Sequence, residues 1–225
     1  KINKVDTSHS FTFSESTGTA HIWVEESGEN RIILIPGANH LLEASEVLKE
    51  FEQVQEVGIV LAQCEIPIEV TEEVFKAAKQ RNIVTMLNPA PFRPLSSELI
   101  RNTDWLIVNE IEFSELHPEK RYPESDDDLL SLPKGRNLVV TLGSKGAVLV
   151  TSDNRIIRLS SPTVKVVDTT GAGDCLIGSF AGALLLGLEP EDALRVAISC
   201  ASESVTKSGA QSSYLSEDSV KKLVG

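Results

Sequence analysis

The sequence of 225 residues is poor in several residue types, and each shortage excludes a class of protein. Its three cysteines, Cys64, Cys175 and Cys200, lie far apart and form no Cys-x-x-Cys pair, which excludes a disulfide scaffold and a structural zinc site. The sequence has 21 basic and 33 acidic residues, so its net charge is −12. With this charge, neither nucleic acid nor an anionic membrane is expected as the main partner. The longest nearly apolar run, residues 175–188, is interrupted by Gly and Ser and is too short to span a bilayer.

Methionine is almost absent as well. The only methionine is Met86, and the chain begins at Lys1 without a recognisable signal peptide. The cysteine usage favours a reducing compartment, and such a protein should begin with a start methionine or carry a processing signal. We therefore expect a cytoplasmic protein, with the nucleus left open as a second location, whose N-terminal part has been removed or lies outside this sequence.

Residues 17–36 predict a β-hairpin. Ala20, Ile22 and Val24 occupy alternate positions, residues 26–30 have the composition of a turn, and residues 31–35 form the returning strand.

Beyond the hairpin, helical patterns alternate with short apolar runs. Runs of strand length that are apolar on both faces and separated by helices are typical of a parallel sheet in a layered α/β fold. The predicted strands are 57–62, 83–87, 105–108, 138–142, 147–151 and 164–167, and the predicted helices are 43–53, 71–81 (capped by Thr71), 174–186 and 190–207. The acidic run 124–128 is interpreted as a solvated loop or a helix N-terminus rather than a metal site.

The residues best suited to binding or catalysis lie in the segment Asp168-Thr-Thr-Gly-Ala-Gly-Asp174, which joins a predicted strand to an apolar helix. Gly171 and Gly173 allow the backbone to turn its N–H groups inward, and the helix N-terminus adds partial positive charge, so the turn suits a phosphate or a developing anion. Asp174 could serve there as a general base for a hydroxyl group. The alternative is that the glycines only form a tight turn and Asp174 only caps the helix. The sequence has no Walker A loop and no G-x-G-x-x-G dinucleotide motif.

This segment resembles the C-terminal signature of the ribokinase family of carbohydrate kinases. The resemblance covers essentially the whole chain, although the family's N-terminal Gly-Gly sugar-binding region is missing. It implies a ribokinase-like α/β/α domain over residues 1–225, N-terminally truncated, with a mostly parallel central sheet and a partial β-lid at 17–36. Other segments agree with the family in order and spacing: Thr17-Gly-Thr, Pro36-Gly-Ala-Asn39, Asn88-Pro-Ala-Pro91, Val108-Asn-Glu-Ile-Glu112, Thr141-Leu-Gly-Ser-Lys-Gly146 and Gly209-Ala-Gln-Ser-Ser213.

The activity implied by the resemblance is ATP-dependent phosphorylation of D-ribose at O5, giving ribose 5-phosphate and ADP. Asp174 matches the catalytic base, which also contacts the sugar, and the amides of Gly171, Ala172 and Gly173 match the anion hole. In-line phosphoryl transfer requires mainly positioning and electrostatic stabilisation, which these groups can supply. Glu65 matches a ribose ligand. The residues that match the nucleotide site are Asn109, Thr141, Gly143, Gly146 and Gly173.

Two cations are also implied by the resemblance. Glu112, together with Asn109, matches an Asn-x-x-Glu motif for Mg²⁺, although this spacing is equally compatible with simple helix capping. A monovalent activator, K⁺, would be held by Asp168, Thr170, Ser204, Lys207, Gly209 and Ser213. The expected partners are ribose, ATP and a second copy of the chain paired through the lid hairpin. Two alternatives stay open: a non-catalytic truncated form that retains nucleotide binding, and a related kinase for another sugar or nucleoside.

Overall fold

The computed structural model describes residues 5–24, 30–117, 119, 121–132 and 135–224. The strands are β1 (Thr19–Val24), β2 (Asn30–Ile35), β3 (Ile59–Ala62), β4 (Val84–Leu87), β5 (Trp105–Asn109), β6 (Asn137–Thr141), β7 (Ala147–Val150) and β8 (Ile156–Leu159). The α-helices are α1 (Ala44–Gln53), α2 (Ile68–Gln80), α3 (Ser97–Arg101), α4 (Glu110–Leu116), α5 (Asp126–Ser131), α6 (Ala172–Leu185), α7 (Pro190–Ser204) and α8 (Glu217–Val224). Short 3₁₀ helices lie at Gly37–Leu41, Gly143–Lys145 and Gln211–Ser213. Within the described ranges, none of the helices has both the length and the apolar composition needed to cross a membrane.

Six strands form the central sheet in the order β3-β4-β5-β6-β7-β8. Strands β3 to β6 are parallel, and β7 and β8 continue the sheet in antiparallel pairs. The prediction of a mostly parallel central sheet is therefore confirmed. The β5–β6 register pairs Asn109 with Thr141, so the two residues lie side by side where these strands end.

Helices cover both faces of the sheet, and the strand residues alternate between them as the period of two requires. Trp105, Ile107 and Val139 face a cluster formed with α6 and α7, whereas Leu106 and Val140 face the opposite cluster with α2 to α5. The Trp105 ring packs edge-on against Phe180 of α6, with 4.9 Å between the ring centroids. The predicted α/β/α layering is thus confirmed.

The hairpin forms a separate antiparallel sheet of β1 and β2, in which Thr19 pairs with Ile35 and Ala20 with Leu34. Of its predicted turn, residues 26–29 lie outside the described residues. Ile33, Leu34 and Ile35 expose their side chains on β2. The small sheet fits the predicted lid hairpin.

The strand predicted at residues 164–167 is wrong. This segment crosses from the sheet to α6, and the amides of Val167 and Asp168 donate to the Val205 carbonyl oxygen at the end of α7 instead of to a neighbouring strand. Val166 and Val167 are 54% and 57% exposed, unlike the buried residues of the central strands. The sixth strand of the sheet is β8, which the apolar pattern did not predict.

Two helix starts also bear on the predictions. Helix α2 begins at Ile68 after Pro67, so Thr71 lies inside the helix and is buried rather than acting as its cap. The acidic run 124–128 contains the start of α5, where Ser125 is the N-cap and Asp128 completes a capping box. The interpretation of this run as a helix N-terminus is confirmed.

Candidate active site

A cavity of about 540 Å³ opens beside the end of β6. Its walls come from the turn 141–146, the crossover 161–166, the first turn of α6 and one face of α7. The cavity brings together residues that are more than 25 positions apart in the sequence, among them the predicted nucleotide residues Thr141, Gly143, Gly146 and Gly173, as well as Ala172. The chain thus assembles most of the predicted nucleotide site around one space.

The two glycines of the turn after β6 have different roles. Gly146 has a φ of 103°, and a Cβ atom there would lie 2.0 Å from the Leu159 carbonyl oxygen, so this glycine is required by the fold itself. Gly143 also has a positive φ, 55°, but a Cβ atom there would meet nothing within 4 Å. At Gly143, which lines the cavity, no side chain therefore occupies the space next to the backbone. Lys145, between them, is exposed.

Gly171 and Gly173 at the start of α6 differ in the same way. Gly171 is the N-cap in the left-handed conformation (φ 76°), and a Cβ atom there would lie 2.6 Å from the Tyr214 hydroxyl. Gly173 lies inside the first turn, where no positive φ is needed and a Cβ atom would point into open space. Among the residues that the structure describes, no atom would obstruct a side chain at 173, so the glycine leaves space beside the cavity.

The first amides of α6 have no intrahelical acceptor, as at any helix start. The Ala172 amide donates to the Thr169 carbonyl oxygen at 3.2 Å, so it would have to exchange partners before it could bind an anion. The Asp174 side chain is exposed in the same turn. Gly173 lines the large cavity, whereas Asp174 lines a second cavity of about 340 Å³ bounded by α6, α7 and residues 214–220.

Asp168 joins two loops that the sequence separates by 41 residues. Its Oδ1 accepts the Thr170 amide at 2.9 Å, and its Oδ2 accepts the Gly209 amide at 2.8 Å. The hydrogen bonds from Gly209 and then Thr170 lower the pKa of Asp168, so the carboxylate stays charged. The structure therefore brings three of the predicted K⁺ residues into direct contact.

The other three predicted K⁺ residues lie close in the chain but use their side chains elsewhere. The Ser204 hydroxyl donates to the Ala201 carbonyl oxygen and the Ser213 hydroxyl to the Ala210 carbonyl oxygen. The Lys207 ammonium pairs with Glu203 at 3.2 Å on an exposed helix surface. The Lys207 ammonium cannot bind a cation, so this residue could contribute only its backbone carbonyl, whereas the two serines keep hydroxyl lone pairs as well as carbonyls.

Asn109 and Glu112 form a complete capping box at the start of α4. The Glu112 amide donates to Asn109 Oδ1 at 2.8 Å, and the Asn109 amide donates to Glu112 Oε2 at 2.9 Å. The capping alternative is therefore realised, but it does not account for burial of the carboxylate. Burial raises the pKa of Glu112 against the effect of its hydrogen bonds, which is a cost that a capping residue does not need.

Glu65 is exposed just after β3, next to the loop 88–91, because the neighbouring Cys64 amide donates to the Ala90 carbonyl oxygen at 3.0 Å. The second cavity, beside Asp174, has mostly apolar walls such as Cys175, Ala183 and Val196. Such walls do not match the many hydroxyl groups of a sugar. Among the described residues, the predicted sugar ligands Glu65 and Asp174 do not line one cavity together, because Glu65 is absent from the walls of both.

Several site residues escaped the sequence-based prediction. The crossover 161–166 and the α7 residues Ile198, Ala201 and Ser202 line the large cavity. Asn88 and Tyr214 contact Glu112 and Gly171 through their side chains. Asn88 belongs to a segment that the family resemblance had marked, but the other residues carried no local signal.

Comparison with known proteins agrees with this geometry. The sequence profile of the pfkB family of carbohydrate kinases matches residues 1–217. The chain belongs to the pfkB family of carbohydrate kinases. It is 40% identical over 213 residues to a ribokinase of Bacillus subtilis, covering 95% of this chain and 70% of that protein. A ribokinase of Schizosaccharomyces pombe is 34% identical over 207 residues, covering 89% of this chain and 65% of the relative.

The pfkB assignment extends to the three-dimensional structure. A solved structure of Arabidopsis thaliana ribokinase complexed with ribose and ATP superposes with a TM-score of 0.79 at 33% identity, covering 94% of this chain and 70% of that one. The chain therefore has the ribokinase-like fold and spans about two thirds of the length of these pfkB relatives.

Proposed function

We propose that this chain is the nucleotide-binding and phosphoryl-transfer part of an ATP-dependent ribokinase, which phosphorylates D-ribose at O5 to give ribose 5-phosphate and ADP. The observation that carries the proposal is Gly173. It lies at a helix N-terminus, lines a cavity of about 540 Å³ and precedes the exposed carboxylate of Asp174, and no described atom lies within 4 Å of where its Cβ atom would be.

The large cavity suits a nucleoside triphosphate. Its volume lies within the usual range of about 300–1,000 Å³ for small-molecule sites. Val164 and Ile198 provide apolar wall for a flat base, whereas Thr141, Gly143 and Gly173 leave backbone accessible for phosphates. A phosphate near Gly173 would gain from the positive end of the α6 dipole.

The transfer step follows from the same arrangement. Asp174 accepts the proton of the O5 hydroxyl as O5 attacks the γ-phosphorus atom; the new O5–P bond forms while the bond to the β,γ-bridging oxygen breaks and ADP leaves. The Gly173 amide and the N-terminus of α6 stabilise the negative charge on the transferring group, as an oxyanion hole does. Glu65 is assigned to the sugar hydroxyls.

The residues present fit the two implied cations. Mg²⁺ bound to ATP usually keeps waters and phosphate oxygens and takes one or two protein carboxylates. The buried Glu112, held by Asn109 and Asn88, offers one. Asp168, whose lowered pKa keeps it charged, fits K⁺ together with backbone carbonyls of residues 170, 204, 207, 209 and 213. When bound, Mg²⁺ would neutralise phosphate charge and K⁺ would steady the turn that leads to Gly173.

The exposed side chains of Ile33, Leu34 and Ile35 support a homodimer paired through the lid hairpin. Burying such an apolar strip in a second copy would remove it from water. The expected location is the cytoplasm, with the nucleus as a second location. A nucleotide-binding chain without turnover is the second candidate, because Glu65 and Asp174 do not line one cavity among the described residues and β3 is an edge strand.

The decisive experiment measures ADP release from ATP by the protein with Mg²⁺ and K⁺, with and without D-ribose. Ribose-dependent release that falls by orders of magnitude in Asp174→Asn, with ATP binding retained, supports the kinase. Asp218→Asn, an exposed carboxylate in α8, serves as the matched control and should behave as wild type. ATP binding without turnover favours the second candidate, and faster turnover with 2-deoxyribose or a nucleoside would replace ribose as the substrate.

A further inference from the structure

The carbonyl group of Gly171 has a second hydrogen-bond donor in addition to its helical one. It accepts the Cys175 amide at 2.9 Å, as the first carbonyl of α6, and it accepts the Tyr214 hydroxyl at 3.0 Å. No side chain caps α6 at Gly171, so the usual device that fixes the first turn of a helix is missing. The Tyr214 hydroxyl is thus the side-chain group that holds this turn.

The ring of Tyr214 is itself well anchored. It packs in a small apolar cluster with Cys175 of α6 and Val196 and Cys200 of α7, together with Leu215 and Val220. Its position in the chain is fixed by the preceding 3₁₀ helix Gln211–Ser213. Because the ring packs against α7 and its hydroxyl bonds to Gly171, the position of α7 fixes where this hydroxyl meets the Gly171 turn.

The segment 168–171 is hydrogen-bonded at both ends to residues 209–214. Asp168 is held by the Gly209 amide at 2.8 Å, and Gly171 is held by Tyr214 at 3.0 Å. Both donors belong to this one short stretch. Removing the hydroxyl would release the Gly171 end, which leads directly into the amide of Gly173, and would leave the Asp168 end in place.

We propose that Tyr214 is a positioning residue that sets the direction of the phosphate-facing amides at the start of α6 through its hydrogen bond to the Gly171 carbonyl group. This inference rests on the proposed nucleotide site. Its specific consequence is that Tyr214 matters for the terminal phosphate and not for the rest of the nucleotide, because the large cavity is built without it.

The test compares the affinities of the 225-residue chain for ADP and for a non-hydrolysable ATP analogue, by calorimetry with Mg²⁺ and K⁺. Tyr214→Phe keeps the ring and removes only the hydroxyl. We expect ADP affinity within about twofold of wild type and analogue affinity reduced about tenfold, the usual effect of one lost hydrogen bond near a charged ligand. Tyr122→Phe is the matched control, since Tyr122 is the only other tyrosine and is 51% exposed; it should change neither affinity.

The two proposals fail in distinguishable ways. If wild type binds both nucleotides and Tyr214→Phe leaves the preference for the analogue over ADP unchanged, Tyr214 is not a positioning residue while the nucleotide site stands. An equal loss of ADP and analogue also overturns the inference, because it indicates a general structural role. If wild type binds neither nucleotide, the proposed function fails and the inference fails with it.

Discussion

The side-chain amide of Asn88 donates to the Ile107 carbonyl oxygen at 2.9 Å and to Glu112 Oε2 at 3.4 Å. Asn88 directly follows β4, and Glu112 lies in the first turn of α4 after β5, so this contact joins two neighbouring loops at the same edge of the sheet. Both side chains are nearly inaccessible, with 9% of Asn88 and 8% of Glu112 exposed. The Glu112 carboxylate therefore depends on Asn88 and on the Asn109 amide for its hydrogen bonds.

Replacing Asn88 should destabilise the protein through Glu112. In Asn88→Ala the buried carboxylate loses one donor, and the Ile107 carbonyl oxygen loses its partner, so we expect the free energy of unfolding at pH 7 to fall by about 1–3 kcal/mol. Asn88→Asp places a second carboxylate beside that of Glu112, so this variant should lose more unfolding free energy at pH 7 than at pH 5. Denaturant unfolding at both pH values checks this. A loss below 0.5 kcal/mol in Asn88→Ala would contradict the contact.

Removing the charge of Glu112 should abolish Mg²⁺-dependent ATP binding without lowering the free energy of unfolding. Burial raises the pKa of Glu112 above its value in the unfolded chain, so the folded protein binds this proton more tightly. The free energy of unfolding therefore falls as the pH rises from the unfolded pKa through the folded pKa. Glu112→Gln keeps a residue suited to the capping box and removes the charge. We expect the free energy of unfolding at pH 7 to be unchanged or higher by about 0.5–1 kcal/mol, while Mg²⁺-dependent ATP binding is lost.

The control for Glu112→Gln is Glu112→Ala, which also loses the capping box and should be less stable than wild type. The stability gain of the Gln variant should shrink as the pH is lowered, because protonation of the wild-type carboxyl removes the charge that burial disfavours. A Gln variant that is clearly less stable than wild type at pH 7 would argue that Glu112 has a purely structural role.

Gly171, the N-cap of α6, and Gly173, in its first turn, should respond in opposite ways to alanine. Gly173→Ala meets open space in a helical turn, so the free energy of unfolding should stay constant or rise by up to about 1 kcal/mol. Its methyl group should nevertheless reduce the affinity for an ATP analogue at least tenfold. Gly171→Ala should cost about 1–2 kcal/mol for the left-handed conformation and more for the clash with Tyr214. Calorimetry and thermal unfolding of both variants provide the test; normal analogue binding by Gly173→Ala would contradict the proposed phosphate site beside this glycine.

The identity of the monovalent cation should matter through Asp168. We expect ATP turnover, or nucleotide affinity where turnover is absent, to fall several-fold when Na⁺ or Li⁺ replaces K⁺ at constant ionic strength. Asp168→Asn keeps an acceptor for only one of the two backbone amides and removes the charge, so it should no longer distinguish the cations. Choline chloride controls for ionic strength. Equal behaviour of wild type in all four salts would remove the K⁺ assignment.

The capping box of α5 provides a pH-dependent test away from the candidate site. The Ser125 hydroxyl, at 2.5 Å from Asp128 Oδ2, is the main cause that lowers the pKa of Asp128. A lowered carboxyl pKa stabilises the fold above its unfolded value of about 3.9, and this contribution is lost as pH falls through the lower folded value. Ser125→Ala should therefore cost about 1 kcal/mol at neutral pH, with the difference from wild type shrinking below about pH 4.

Ser97→Ala, in the first turn of α3, is the control for Ser125→Ala, because Ser97 is exposed and Ser96 supplies the α3 cap. Urea unfolding from pH 7 down to about pH 2, below the unfolded carboxyl pKa of about 3.9, measures both. A constant difference between Ser125→Ala and wild type down to the lowest pH would show that Asp128 takes no part in the cap.

Much of the architecture could be predicted because its signals are local. The apolar runs that became β3 to β7 and the glycines at 143, 146 and 171 are set by neighbouring residues, since strand patterning and left-handed turns depend on the chain within a few positions. The same holds for the Asn109–Glu112 spacing, although sequence reasoning left open whether it caps a helix or serves a ligand. Its burial against Asn88, 24 residues away, supports a function beyond the cap.

The errors have a common physical origin. Residues 164–167 have the composition of a strand, yet the Val167 amide donates to the Val205 carbonyl oxygen, and none of the described strands pairs with this segment. Thr71 has the composition of a helix cap, but Pro67 starts α2 one turn earlier. In both cases a distant or preceding residue outweighed the local preference.

The sequence by itself determined the α/β layering, the glycine turns and the membership in a family of carbohydrate kinases, because periodicity, backbone conformation and motif spacing are properties of short segments. Only the tertiary structure decided that Tyr214 holds Gly171, that Asp168 joins residues 170 and 209, and that α7 forms a wall of the large cavity. The hydrogen bonds from Gly209 to Asp168 and from Tyr214 to Gly171 join residues 41 and 43 positions apart, and only the packing of distant segments brings such residues within hydrogen-bond distance.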